Sequence, residues 1–169
     1  MTKRIRQYLG ILAAVLAYYL IHEGAHLLFA LSAGAFKEIR FLGLGMQIDI
    51  FPERMTDLQM ALFCIVGSIA TAITAWILSW QADRILQVPS RVFKACMYYV
   101  TLAMLFLDPL YLSLLCGFFG GGDMNGISLL IPESAARIGY GLLLAVHYGL
   151  FRKRVLPKYK AAFQNPNMH

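Results

Sequence analysis

The chain has 169 residues, 59% of them hydrophobic and only 14% charged. A soluble domain carries about 25% charged residues, so this composition excludes an ordinary soluble protein and points to the membrane. The net charge of +6 does not indicate nucleic-acid binding, because the basic residues cluster at Lys3-Arg4-Arg6 and at Arg152-Lys153-Arg154, Lys158 and Lys160, flanking apolar stretches as membrane anchors do.

The first apolar segment runs from about residue 8 to 32 and contains His22-Glu23-Gly24-Ala25-His26. A basic start followed by apolar residues and Ala33-Gly34-Ala35 imitates a signal peptide. The stretch is too long for one and too polar at its centre, so it is expected to be retained. Two histidines four apart on a helix lie about 40° apart around its axis, so both rings can reach one metal ion. Glu23 can reach the open coordination position and take a proton from metal-bound water. Ionisable groups within a span cost roughly 2.5–3.5 kcal/mol each on insertion scales and are usually functional.

Residues 35 to 51 read as a strand, a Gly43-Leu44-Gly45 turn and a second strand, in which Met46, Ile48 and Ile50 alternate with Gln47 and Asp49. Such a hairpin is marginal alone and is expected to rest on the membrane or on the helices. A second span, residues 58 to 80, is uncharged. A third, about 95 to 119, has Asp108 as its only charge, and a shorter fourth covers about 134 to 151 with Arg137 near its start. Between the last two, residues 117 to 131 carry Gly120-Gly121-Gly122 into Asp123-Met124-Asn125-Gly126. That composition predicts a glycine-rich re-entrant loop covered by protein. The Gln164-Asn165-Pro166 tail reads as a frayed end. The expected fold is therefore one domain over residues 1–169: an all-α polytopic membrane protein of about four transmembrane helices, with a small β-hairpin and the re-entrant loop.

With both termini cytoplasmic, eleven basic residues lie inside and four (Lys37, Arg40, Arg54 and Arg137) outside. This positive-inside bias predicts a multi-pass cell-membrane protein whose histidine motif lies nearer the outer face. Cys64, Cys96 and Cys116 sit within apolar spans and fit neither a disulfide framework nor a Cys-x-x-Cys site.

A catalytic zinc takes three protein ligands and a water, so His22 and His26 need a third partner. Asp123 is the first choice, because glycines around it allow close backbone approach. Asp108 is the alternative, although Asp108-Pro109 also reads as a helix N-cap followed by proline at the first helical position, which would break the third span. His147 is a weaker candidate, since a single histidine on the fourth span is more often a hydrogen-bonded packing residue.

These residues resemble the site-2 protease family of intramembrane zinc metalloproteases, particularly its small members without a PDZ domain. The resemblance spans roughly residues 8 to 130. It rests on the His22–His26 motif, Gly34, the Gly43-Leu44-Gly45 hairpin, Gly67-Ser68 and the glycine-rich approach to Asp123. Two departures stand out: Met124 follows the aspartate where the family usually has glycine, and the family's Asn-Pro element has no clean counterpart, Asp108-Pro109 being the candidate for its place. The resemblance implies that His22, His26 and Asp123 bind Zn2+, that Glu23 activates water, and that the hairpin offers an edge to an unwound substrate.

The expected function is hydrolysis of peptide bonds in membrane-embedded or membrane-associated substrates at the lipid bilayer. Gly43, Met46 and Ile48 would contact the substrate through the hairpin, whose edge would pair with released backbone groups. Asn125 would hydrogen-bond the substrate or the oxyanion, or else cap a turn before Gly126. Two other classes stand beside this one: a non-proteolytic membrane zinc hydrolase acting on a lipid or small amide, and a non-catalytic metal-binding membrane protein.

Overall fold

The computed structural model describes residues 2–43, 45–118 and 122–164. Leu44 of the expected turn, Phe119, Gly120 and Gly121 of the expected re-entrant loop, and Asn165 and Pro166 of the tail lie outside the described residues. Helix α1 (Lys3–Ser32) begins where the Thr2 side chain accepts from the Ile5 amide and ends before Gly34, whose positive φ of 65° turns the chain into the hairpin. The hairpin is the expected one, with β1 (Phe36–Leu42) and β2 (Gly45–Ile50) antiparallel and Ile39 opposite Ile48. Buried Ile48 seats it against α1 and α2, in a cluster with Ala30, Phe63 and Cys64.

After a 3-10 turn at Pro52–Arg54, α2 (Asp57–Trp80) starts with a capping box: the Gln59 amide donates to Thr56 Oγ1 and the Thr56 amide to Gln59 Oε1. A short α3 (Ala82–Gln87) leads to α4 (Arg91–Leu110), capped by Ser90. A π-helical turn at Tyr111–Leu115 extends α4. Then come α5 (Gly122–Ile127), α6 (Glu133–Leu150), a second π turn at Phe151–Val155, and α7 (Leu156–Gln164).

Three helical stretches are long and apolar enough to cross a membrane: Lys3–Ser32, Asp57–Trp80 and Arg91–Leu115. Their outward faces are apolar, with Leu12, Leu16 and Leu20 exposed on α1 and Ile69, Ile73 and Ile77 on α2, the reverse of a soluble bundle. The fourth expected span corresponds to α6, which is not among these three; Glu133, Arg137 and His147 lower its hydropathy.

Helices α1 and α4 run parallel, with Gly10 against Tyr99 and Tyr18 against Asp108. Helix α2 runs the other way, Phe63 meeting His26 and Thr71 meeting Asp108. One apolar cluster fills the end of the bundle that holds Ala82, Val100 and Tyr159, and a second fills the end that holds Ala30, Ile48 and Met124. The polar groups of the candidate site lie between them.

Two local expectations are corrected. Asp108 does not cap a new helix: it and Pro109 lie inside α4. Proline has no amide to give to the Leu105 carbonyl. That carbonyl instead accepts from His147 Nδ1 at 2.7 Å, so the vacated bond is replaced and the helix continues. Asp123 does not sit on an irregular loop; it lies in the first turn of α5.

Candidate metal centre

Helix α1 carries Tyr18, His22 and His26 one turn apart on a single inward face, and both histidines are buried. They face α2 at Gly67. A Cβ added there would lie 2.6 Å from His26 Nε2 and 2.7 Å from His22 Cε1, so only glycine leaves room for the two rings. Helix α5 approaches α2 equally closely. A Cβ on Gly126 would lie 2.3 Å from Cys64 Sγ. This contact brings Asp123, three residues earlier, to the histidines.

The three groups converge. His22 Nε2 and His26 Nε2 are 3.2 Å apart, and Asp123 Oδ2 is 3.4 Å from the first and 3.7 Å from the second. Ligands of a tetrahedral zinc at about 2.0–2.1 Å stand roughly 3.3 Å from one another, so the spacing fits a bound zinc. Burial raises the Asp123 carboxyl, but His22 and His26 beside it, where a ring is protonated, more than offset this and hold it below the usual carboxylate range.

Asp108 stands behind this cluster. Buried on α4, it places both carboxylate oxygens 3.3 Å from His22 Nδ1, and it also accepts hydrogen bonds from the Tyr18 and Thr71 hydroxyls. A carboxylate on Nδ1 keeps the proton there and leaves the Nε2 lone pair directed at Asp123 and His26. An acceptor facing a carboxylate at 3.4 Å needs a cation between them: a proton for one pair, or a metal ion for all three atoms. His26 Nδ1, by contrast, is buried with no hydrogen-bond partner among the described residues.

Glu23 is half-buried and lines the same open cavity, of about 430 Å³, together with Tyr19, Phe63 and Tyr111. The hairpin forms another wall through Gly45, Met46, Gln47 and Ile48. Of the residues expected to contact substrate, Met46 and Ile48 are therefore at the cavity. Gly43 is at the turn with a positive φ of 61°, and Asn125 is exposed on α5; neither lines the cavity. His147 is remote, on α6. Its Nδ1 donates to the Leu105 carbonyl and its Nε2 accepts from Trp76 Nε1 at 3.0 Å, so both nitrogens are used in packing and the ring is neutral.

Tyr18 and Thr71 were not identified from the sequence as partners of Asp108. Tyr18 has a signal in hindsight, four residues before His22 on the same face; Thr71 likewise lies four residues after Gly67. The contact of Gly126 with Cys64 has no local signature, because it depends on where α5 packs. No protein-family model, curated protein or solved structure matches the chain.

Proposed function

We propose that the chain is a zinc metalloprotease that cleaves peptide bonds within or beside the membrane. The observation that carries this reading is the convergence of His22 Nε2, His26 Nε2 and Asp123 Oδ2 beside Glu23, next to helices apolar enough to span. His22, His26 and Asp123 would hold the ion, with Asp108 orienting His22 from behind. Zinc, when bound, supplies Lewis acidity and brings the pKa of a coordinated water toward about 7. The Glu23 carboxylate accepts the proton of the attacking water and then delivers it to the leaving amine.

A peptide reading suits the shape of the cavity. Residues of β2 form one wall, and an extended substrate could add to the hairpin there while its carbonyl faces the metal. The site-2 protease resemblance points the same way. Helix α6 would serve as a fourth span, since Ile138, Leu142 and Val146 form an exposed apolar stripe along it. The eleven-to-four distribution of basic residues would place both termini in the cytoplasm and the hairpin outside.

The test is hydrolysis by purified, zinc-loaded protein in detergent, offered quenched transmembrane peptides in one arm and phospholipids or small amides in another. Peptide cleavage by the wild type that is lost in Glu23→Gln, with zinc retained, is the expected result. Cleavage of the lipid or amide alone would change the substrate class. No turnover in either arm by zinc-loaded protein would make the site a non-catalytic metal centre.

A further inference from the structure

Peptide hydrolysis develops negative charge on the scissile carbonyl oxygen, and an O–H or N–H donor aimed at that oxygen stabilises it. Asn125, the donor expected from the sequence, is exposed on α5 and does not line the cavity. Tyr111 does, together with His22, Glu23, His26 and Asp123.

The packing of two helices and a change of backbone put Tyr111 there. Helices α1 and α4 run parallel, with Gly10 against Tyr99 and Tyr18 against Asp108, an offset of about 90 positions. That offset brings Tyr111 level with Ile21 and His22. Residues three apart share a helix face, so the side of α4 that sets Asp108 behind His22 carries Tyr111 one turn further along. A Cβ added to Gly122, the residue before Asp123, would lie 3.6 Å from Tyr111 Oη, and the Asp123 charge acts on the phenol. The Cys116 amide donates to the Tyr111 carbonyl at 2.8 Å, five residues back, opening the π turn at Tyr111–Leu115. Such turns are rare and frequently lie at functional sites.

The hydroxyl is also uncommitted. Tyr18 gives its own to Asp108, and Tyr140 is bonded to Ser68 Oγ at 2.7 Å. Tyr111 Oη has no hydrogen-bond partner among the described residues. Two other side chains on the cavity wall could donate, but they stand elsewhere. Tyr19 is one turn before Glu23 on α1, beside the base, and Gln47 is on β2, where a substrate strand would pair.

We propose that the Tyr111 hydroxyl donates a hydrogen bond to the oxyanion formed as the scissile peptide bond is attacked, an inference that rests on the metalloprotease reading. The water oxygen bonds to the carbonyl carbon, one water proton passes to Glu23, and the C=O electron pair moves onto the oxygen that Tyr111 holds. When the carbonyl re-forms, the C–N bond breaks with its pair on nitrogen, which takes the proton from Glu23. Tyr111 keeps its own proton throughout. Its bond strengthens only as charge develops, so it acts on the transition state more than on substrate binding.

The experiment uses the zinc-loaded full chain in detergent. A quenched transmembrane peptide serves as substrate, and the same peptide with a phosphinate in place of the scissile amide serves as a mimic of the oxyanion. Tyr111→Phe keeps the ring and removes only the hydroxyl, which has no protein partner to lose, so zinc content and helical circular dichroism should match the wild type. It should lower kcat by about 100-fold while KM stays within about threefold. Phosphinate affinity, measured by calorimetry without turnover, should fall by about 100-fold. An unchanged phosphinate affinity overturns the proposal, whatever the rate. Loss of zinc in Tyr111→Phe overturns it as well, since the tyrosine would then support the metal centre rather than the oxyanion. A wild type that cleaves, beside a Tyr111→Phe variant equal to it in both readouts, would remove this inference alone. A zinc-loaded wild type that does not turn over would remove the proteolytic reading and this inference with it.

Discussion

Asp108 meets His22 at the ring nitrogen that faces away from Asp123. Its carboxylate is 3.3 Å from Nδ1, while Asp123 is 3.4 Å from Nε2. The two aspartates that the sequence offered as rivals for one ligand position thus stand on opposite edges of the same imidazole. One is placed to orient the ring, while the other would share a bound ion with it.

The two aspartate variants should therefore behave differently. Asp123→Ala is expected to abolish stoichiometric zinc, because it removes one of three ligands and a charge. Asp108→Ala should retain a site weakened by about 10–100-fold, the usual cost of losing a carboxylate behind a metal-bound histidine. Chelator competition on the purified variants measures both. The opposite order would move the ligand to Asp108.

Wild-type protein purified without chelator should carry about one zinc per chain, lost in His22→Ala and in His26→Ala. Metal analysis by mass spectrometry checks this. A metal-free wild type after gentle purification would remove the basis of the proposed chemistry.

Gly67→Ala tests the packing that shapes the centre. The new methyl would fall 2.6 Å from His26 Nε2 and 2.7 Å from His22 Cε1. Overpacking of this kind costs about 1–3 kcal/mol, and here it would also push the rings off the metal position. Zinc affinity should fall by at least about tenfold while helical content by circular dichroism stays near that of the wild type. Unchanged affinity would mean that α1 and α2 stand further apart than described.

Single cysteines at positions 2, 53 and 164, introduced after Cys64, Cys96 and Cys116 are replaced, report the orientation. With an impermeant thiol reagent on intact cells, only position 53 should label if the proposed orientation holds, since the charge distribution would put the hairpin side outside. Labelling at 2 and 164 but not at 53 would invert the protein and turn the metal centre toward the cytoplasm.

Much of this protein is local and was legible in the sequence. Three apolar spans, the hairpin at Ala35 to Phe51 and the histidine pair each follow from composition or spacing within a few turns. For the pair, a four-residue separation on a helix already sets both rings on one face. His147 was also anticipated as a packing residue, and the structure supplies its partners in Trp76 and Leu105. Which aspartate faces the pair could not be read locally. Asp108 and Asp123 are both acidic residues in apolar surroundings, and only the crossing of α4 behind α1 and the seating of α5 on α2 separate them. That seating depends on Gly126 lying against Cys64, 62 positions away, and on Gly67 leaving space beside the rings. Pro109 illustrates the same point: alone it predicts a broken helix, but the Leu105 carbonyl it leaves without an amide is taken up by a histidine from α6. Spacing along one helix determines which side chains share its face, whereas contacts between helices decide what meets that face, and those contacts arise only when the helices pack.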